Sequence, residues 1–237
     1  MPTSWRQRFN PVTEPRTLSR SVEDYLKAIY QLSSEGTGDV ATTDIAGRLD
    51  VAPASVTGMI KRMAESGLLE HVPYRGVRLT AEGRRAALAV MRRHRVLETY
   101  LITKLAYDWS NVHAEAERLE HAVSDELVER MAFALGDPQY DPHGAPIPTR
   151  DGEIEQLAYV PLAGVEVGAR VVLRQVGDED SERLRYLTSI GLVPMVEMTV
   201  LDRQPFGGPI TLRLGGRETK DRTIGTELAA RLLVERR

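Results

Sequence analysis

Apolar residues recur at helical spacing from Ser21 onward. Val22, Tyr25, Leu26, Ile29, Tyr30 and Leu32 fall on one stripe, and Gly36 and Gly38 close it. Ile45, Ala46 and Leu49 mark a short second helix, DIAGRLD, which Thr42 or Thr43 can cap. A third helix is expected from about Pro53 to Ser66, with Val56, Ile60 and Met63 as its apolar positions. Pro53 suits a first turn, where a missing N–H costs nothing, and Gly67 stops the helix. The period then changes. LLEHVPYRGVRLT reads as two short strands around Tyr74-Arg75-Gly76, a hairpin with glycine at its tip. Three helices, a tight link between the second and third, and a hairpin make a winged helix-turn-helix.

Helical periodicity resumes at Thr80 and runs to Leu105. Ser110 and Ser124 are expected to cap two further helices, over 111–122 and 125–135. GDPQYDPHGAPIPTRDG, residues 136–152, reads as an irregular linker. Beyond about residue 160 the pattern turns to β. ARVVLRQV, VEMTVLD, PITLRL and RLLVER are strand-like, with SERLRYLTSIGL as a short helix, so a small β-barrel is expected. Residues 1–17, polar with three prolines, read as a flexible arm. The fold class expected is mainly α with β. Its domains are an arm and winged helix-turn-helix over 1–83, a helical segment with a Pro-rich linker over 84–155, and a β-domain over 156–237.

At 237 residues the chain suits two or three compact units rather than one small core. No apolar run approaches the roughly 18 residues of a membrane span. The N-terminus has no apolar h-region, so it does not read as a signal peptide. The absence of cysteine excludes disulfides, thiolate metal sites and cysteine nucleophiles, and fits a cytoplasmic location. The net charge of −3 hides an uneven distribution: residues 86–160 carry 7 Lys and Arg against 13 Asp and Glu, whereas residues 1–85 carry 12 against 10. The acidic excess coincides with His94, His113 and His121, and the first segment keeps a balance compatible with nucleic acid.

In a helix-turn-helix the second helix of the pair enters the major groove with its N-terminal residues toward base edges. Here Val56, Ile60 and Met63 form its buried stripe. Ser55, Thr57, Gly58 and Lys61 therefore project outward, with Arg62 nearby. Small hydroxyl residues allow close approach to bases or phosphates, and Lys61 and Arg62 suit phosphates. Arg75, at the hairpin tip, is placed to touch the DNA backbone or minor groove. The alternative is an amphipathic helix with a solvated face.

His113, Glu117, Glu120 and His121 stand at relative positions 0, 4, 7 and 8, on one face of the expected helix. Burying two carboxylates and two imidazoles without partners would cost several kcal/mol each, by order of magnitude. A divalent cation removes that cost. His94 and Glu98, spaced i, i+4, can chelate in the same way. The alternative is a charged stripe facing solvent.

SVEDYLKAIYQL, VAPASVTGMIKRM, MRRHRVLETYL, VHAEAERLEHAVSDE and the linker DPHGAPIP, in this order, resemble the diphtheria toxin repressor family of metal-dependent repressors from about Ser19 onward. The resemblance implies a primary metal site at Asp24, Glu117, Glu120 and His121. It implies a second site at His94, Glu98 and His113, with ancillary ligands near Gln175 and Asp178. It also implies that 84–155 serves dimerisation and metal binding, and that 156–237 is an SH3-like domain of the ferrous transport A type. Iron-type members carry Met and Cys where this chain has Asp24 and Glu117. The oxygen and nitrogen set is similar to manganese-type members, and harder ligands suit Mn²⁺. Those members, however, have a glutamate where this chain has Lys27. Asp24 also has a structural alternative as part of a capping box in Ser21-Val22-Glu23-Asp24. His71 and His143 are expected at the surface without a role.

The function expected is a metal-dependent repressor, not an enzyme, that senses Mn²⁺ and binds a palindromic double-stranded DNA operator as a homodimer. Sensing of Fe²⁺ on the same fold is the nearest alternative. A metallohydrolase using the His/Glu cluster is the rival from another class, but no HExxH, GxSxG or phosphate loop is present.

Overall fold

The computed structural model describes residues 18–33, 38–177, 180–216 and 220–237. The expected N-terminal arm, Gly36 and Asp178 lie outside the described residues. The chain packs as two compact units. One holds the described residues up to His94 together with Leu119–Ala134 and Pro148–Ile154. The other holds Arg95–Arg118, Leu135–Ile147 and Glu155–Arg237.

In the first unit, helices α1 (Arg20–Leu32), α2 (Thr42–Leu49) and α3 (Pro53–Glu65) precede strands β1 (Leu69–Val72) and β2 (Gly76–Leu79). The strands pair antiparallel from Leu69↔Leu79 to Val72↔Gly76, giving the expected winged helix-turn-helix. Leu26, Ile29, Ile45, Val56, Ile60, Met63, Leu68 and Val77 share one core with the first turns of α4 (Ala81–Leu105). Burying Val, Leu, Ile or Met side chains contributes about 1.5–3 kcal/mol each, so this cluster dominates the unit's stability.

Several local expectations change. The N-cap of α1 is Ser19, so Asp24 lies in the second turn and the capping-box reading of it fails. Ala41 in extended conformation precedes α2, and Thr42 and Thr43 are inside that helix rather than capping it. Tyr74, not glycine, takes the left-handed tip position of the hairpin at φ 63°, while Gly76 opens the second strand. There glycine is obligatory. Its φ is 110°, and a Cβ would stand 2.0 Å from the carbonyl oxygen of Val40.

The helix expected over 111–122 is shorter: α5 spans Val112–Leu119. The Ala122 and Val123 N–H groups both donate to Leu119 O, so Glu120 and His121 sit in a turn and not on a helical face. Ser110 lies one residue before the position that would cap α5, and its hydroxyl donates to Asp108 Oδ1. Ser124 does cap α6 (Asp125–Ala134), its Oγ accepting from Leu127 N–H at 3.2 Å. Arg92 binds Glu129 at 2.7 Å and Arg93 binds Asp125 at 3.3 Å, which ties α6 to α4 within the first unit.

In the second unit, strands β3 (Val160–Pro161), β4 (Arg170–Val176), β5 (Glu197–Arg203), β6 (Ile210–Leu214), β7 (Lys220–Ile224) and β8 (Leu232–Arg236) form one sheet in the order β3-β8-β4-β5-β6-β7. Helices α7 (Ser181–Ile190) and α8 (Thr226–Ala229) interrupt it. Asp180 caps α7 by accepting from the Glu182 and Arg183 N–H groups. Val171, Leu173, Leu184, Leu187, Val200, Leu212 and Val234 build the core of this SH3-like domain. Strand β7, KDRTI, was not expected; it is an edge strand with only Ile224 buried, so it lacks an apolar alternation.

Candidate metal centres and DNA-reading surface

Within the first unit, Asp24 on α1 meets Glu120 and His121 from the turn that precedes α6. One ligand atom from each lies within 4.8 Å of the others. Glu23, on the adjacent position of α1, accepts from His121 Nδ1 at 2.6 Å and from Arg93. With Nδ1 donating to Glu23, the other ring nitrogen, Nε2, is turned toward the carboxylates. It lies 2.9 Å from Asp24 Oδ1 and 3.4 Å from Glu120 Oε1. This nitrogen is buried and makes no hydrogen bond with either. In a neutral ring this nitrogen offers a lone pair, and a lone pair facing two carboxylate oxygens is a repulsive arrangement that a divalent cation converts to an attractive one. The donors are oxygen and nitrogen only, an imidazole and carboxylate set of the kind that binds first-row divalent cations.

Glu120 is fully buried. Lys27 Nζ donates to its Oε1 at 3.1 Å and its Oε2 at 3.0 Å, and lies 3.2 Å from His94 Nδ1. His94 Nδ1 is itself 2.5 Å from Glu120 Oε2. Burial alone would raise the Glu120 carboxyl; the His94 hydrogen bond and the Lys27 charge outweigh it and hold the group below the usual carboxylate range.

Of the expected second set, His94 belongs to the first unit and Glu98 and His113 to the second. Glu117, expected in the primary site, also belongs to the second unit, where its carboxylate lies 3.6 Å from His113 Nε2. His113 Nδ1 lies 3.2 Å from Glu98 Oε1. Glu98 is joined there by two residues that the pattern of the chain did not single out. Asp141 and His143, from the linker, each bring a ligand atom within 4.8 Å of Glu98's, and all three are buried. The expectation that His143 is a surface residue is therefore wrong: it is 0% exposed. Its ring packs against Trp109, and its Nε2 donates to Trp109 O at 3.1 Å, which directs the Nδ1 lone pair toward Glu98 Oε2 at 3.8 Å. One Asp141 oxygen accepts from the His143 and Ala145 N–H groups, closing the loop, while the other lies 3.6 Å from Arg95. Gly144 seats the loop on β4. Its φ is 88°, and a Cβ would stand 1.7 Å from Arg174 O. The Val176 N–H donates to His143 O at 3.0 Å, which brings Gln175, an expected ancillary residue, beside this loop. The available signal was the spacing Asp-x-His-Gly; its flanking prolines made it read as a plain linker.

Along α3, Ser55, Thr57, Gly58, Lys61 and Arg62 are exposed and Val56, Ile60 and Met63 buried, as the spacing predicts. A Cβ added to Gly58 would meet nothing within 4 Å, so no packing inside the unit demands glycine there. Thr57 Oγ1 donates back to Pro53 O at 3.1 Å. Arg75 is exposed at the wing and reaches Asp39 at 3.2 Å; Asp39 also holds Arg78. His71 is exposed on β1, as expected.

Three family descriptions match the chain in order. They are "iron dependent repressor, N-terminal DNA binding domain" over 17–77, "iron dependent repressor, metal binding and dimerisation domain" over 80–149, and "FeoA domain" over 160–236. The chain is similar to the iron-dependent repressor IdeR of Mycobacterium tuberculosis, 34% identical over 231 residues, covering 91% of this chain and 97% of that protein. It is also similar to the diphtheria toxin repressor of Corynebacterium glutamicum, 35% identical over 200 residues, covering 80% and 87%. Among solved structures, a manganese-dependent transcriptional repressor in complex with manganese superposes with a TM-score of 0.84. It is 39% identical and covers 91% of this chain and 100% of that one.

Proposed function

Because this chain belongs to the iron-dependent repressor family, we propose that it is a metal-dependent transcriptional repressor that senses Mn²⁺ and binds palindromic operators as a homodimer. The observation that carries the metal site is His121, whose buried Nε2 faces Asp24 and Glu120 while Glu23 orients the ring. Asp24, Glu120 and His121 would hold one ion, with Glu23 and Arg93 setting the imidazole. Glu98, Asp141 and His143, with His113 and Glu117 alongside and Gln175 near the loop, would form a second centre. The oxygen and nitrogen donors support Mn²⁺, and the manganese complex named above is consistent with it. Fe²⁺ sensing is the second reading, favoured by the iron-dependent relatives. A metallohydrolase is set aside, since the relatives are repressors.

The domain roles follow the same reading: 1–83 reads DNA, 84–155 dimerises and binds metal, and 156–237 is the SH3-like module. No described helix is long and apolar enough to cross a membrane. This is consistent with action on DNA in the cytoplasm.

An ion at Asp24, Glu120 and His121 ties α1, which packs on the DNA-reading helices, to the turn before α6. In a dimer that restraint selects the spacing of two α3 helices, which must match half-sites about 34–36 Å apart. Metal and DNA then bind cooperatively, with a coupling of about 1–3 kcal/mol, or roughly 5- to 150-fold in affinity. Contact with the operator would come from Ser55, Thr57, Gly58, Lys61 and Arg62, and from Arg75 at the wing.

The test is a gel shift on operator DNA with chelator, with Mn²⁺, and with Fe²⁺ under anaerobic conditions. Wild type should shift only with metal, and at lower Mn²⁺ than Fe²⁺. Asp24→Ala and Glu120→Ala should lose the response. Tight binding unaffected by chelator would falsify metal dependence.

A further inference from the structure

The tip of the wing carries a residue that the stability of the fold does not account for. Pro73, Tyr74 and Arg75 turn the chain from β1 to β2, and the Arg75 N–H donates to Val72 O at 3.0 Å. Proline in the second place and a positive φ in the third is the pattern of a type II β-turn, whose third place ordinarily falls to glycine or asparagine. Here that place holds tyrosine at φ 63°, a backbone conformation that disfavours a bulky side chain. The ring is fully exposed, so packing within the unit does not offset the strain.

The backbone beneath the tip is firmly mounted. Val40 and Val77 exchange two backbone hydrogen bonds, at 2.8 and 2.9 Å, which join the hairpin to the segment before α2. Asp39 fastens the same edge. One of its oxygens accepts from Arg78 Nε at 2.8 Å, and the other accepts from Arg75 Nη1 at 3.2 Å. Tyr74 and Arg75 are therefore presented to solvent side by side from a fixed backbone.

The surface that suits this pair is the DNA backbone. The wing belongs to the same unit as the outward face of α3, so a contact here extends the reading surface already described. Tyrosine joins an apolar ring to a hydroxyl, and the edge of a DNA groove has the same two-part character, deoxyribose carbons beside phosphate oxygens. We propose that Tyr74 is a DNA-contact residue whose ring packs on the sugars bordering a minor groove, while Arg75 pairs with the adjoining phosphate. The inference rests on the DNA-reading role given above to α3 and Arg75. It assigns the strain a use: a residue at ease in the turn would fold as well and bind DNA less tightly.

The experiment uses the full chain with Mn²⁺ and a duplex selected by the wild-type protein from a randomised pool. Affinity is read by fluorescence anisotropy across a salt series, sugar contacts by hydroxyl-radical footprinting, and stability by thermal denaturation without DNA. Tyr74→Gly and Tyr74→Asn both relax the turn and remove the ring. Each should melt no lower than wild type and bind at least about fivefold more weakly, the low end for an aromatic contact to nucleic acid. Each should also lose sugar protection flanking the half-sites while the positions covered by α3 stay protected. Because the ring is uncharged the salt slope should hold, whereas Arg75→Gln should reduce it by about 0.9. Variants that bind and footprint like wild type would overturn the inference and leave the reading by α3 standing. A loss of binding with Tyr74→Gly but not Tyr74→Asn would also overturn it, by placing the effect in the hairpin backbone. So would a clear fall in melting temperature in both variants, by giving the ring a part in the fold. Failure of the wild-type protein to select or protect any duplex would overturn both readings.

Discussion

Replacing Glu120 by leucine in the presence of chelator isolates what the buried ion pair contributes to stability, apart from any metal. The Glu120 carboxylate is 0% exposed and the Lys27 side chain 9%, so neither can turn to water when its partner is lost. Leucine would take the carboxylate away from the ammonium and leave it beside the His94 ring, which supplies no compensating charge. Breaking a buried pair from one side costs about 3–5 kcal/mol, against a total stability of about 5–15 kcal/mol for a typical protein. For a protein of roughly this size each kcal/mol shifts Tm by about 2–4 °C, so a fall of roughly 6–20 °C is expected in thermal denaturation followed by circular dichroism. The double variant Lys27→Met/Glu120→Leu removes both charges and fills similar volume. It should recover most of the loss, because a buried pair and an apolar pair of equal shape are often near neutral. A Glu120→Leu variant that melts within about 2 °C of wild type would refute the argument. So would a double variant no more stable than the single, since the cost would then lie in packing rather than in a stranded charge.

Other consequences are as direct. Glu120 is held below the usual carboxylate range, so its stabilising contribution is fully present above its unfolded value and is lost as pH falls through the lowered folded one; acid melts in chelator should place the loss at higher pH in Lys27→Met than in wild type. Gly58→Ala, where a Cβ meets nothing within 4 Å, should raise thermal stability by up to about 1 kcal/mol and yet weaken operator binding measured by fluorescence anisotropy; equal or tighter DNA affinity would remove Gly58 from the interface. Gly144→Ala must move a loop whose Cβ position is 1.7 Å from Arg174 O, and it should weaken manganese binding in isothermal titration at the centre of Glu98, Asp141 and His143 while leaving the Asp24 centre intact.

The winged helix-turn-helix was legible because its parts are local. Val56, Ile60 and Met63 repeat at the helical period, Pro53 and Gly67 mark the ends, and the strands of the hairpin lie three residues apart, so short-range propensity and burial agree. The outward face of α3 followed from the same spacing. The chemistry of the candidate metal centres was legible as residue types, since carboxylates and imidazoles crowd between His94 and His121. Their grouping was not. A periodicity argument placed Glu120 and His121 on a helix that in fact ends at Leu119, where a turn satisfies the last carbonyl and redirects both side chains. Sequence distance hid the remaining partners: Glu23 is 98 positions from His121, and Lys27 is 93 from Glu120.

The chain by itself therefore determined most of the helices and strands, which face of α3 is turned outward, and that oxygen and nitrogen donors are plentiful. Only the tertiary structure decided which donor side chains lie together, that His143 is buried beside Glu98, and that Lys27 is bound to Glu120. Local order comes from backbone propensity and hydrophobic spacing, which act within a few residues. A coordination shell comes from packing that brings distant segments within a few ångströms, and no periodicity along the chain records it.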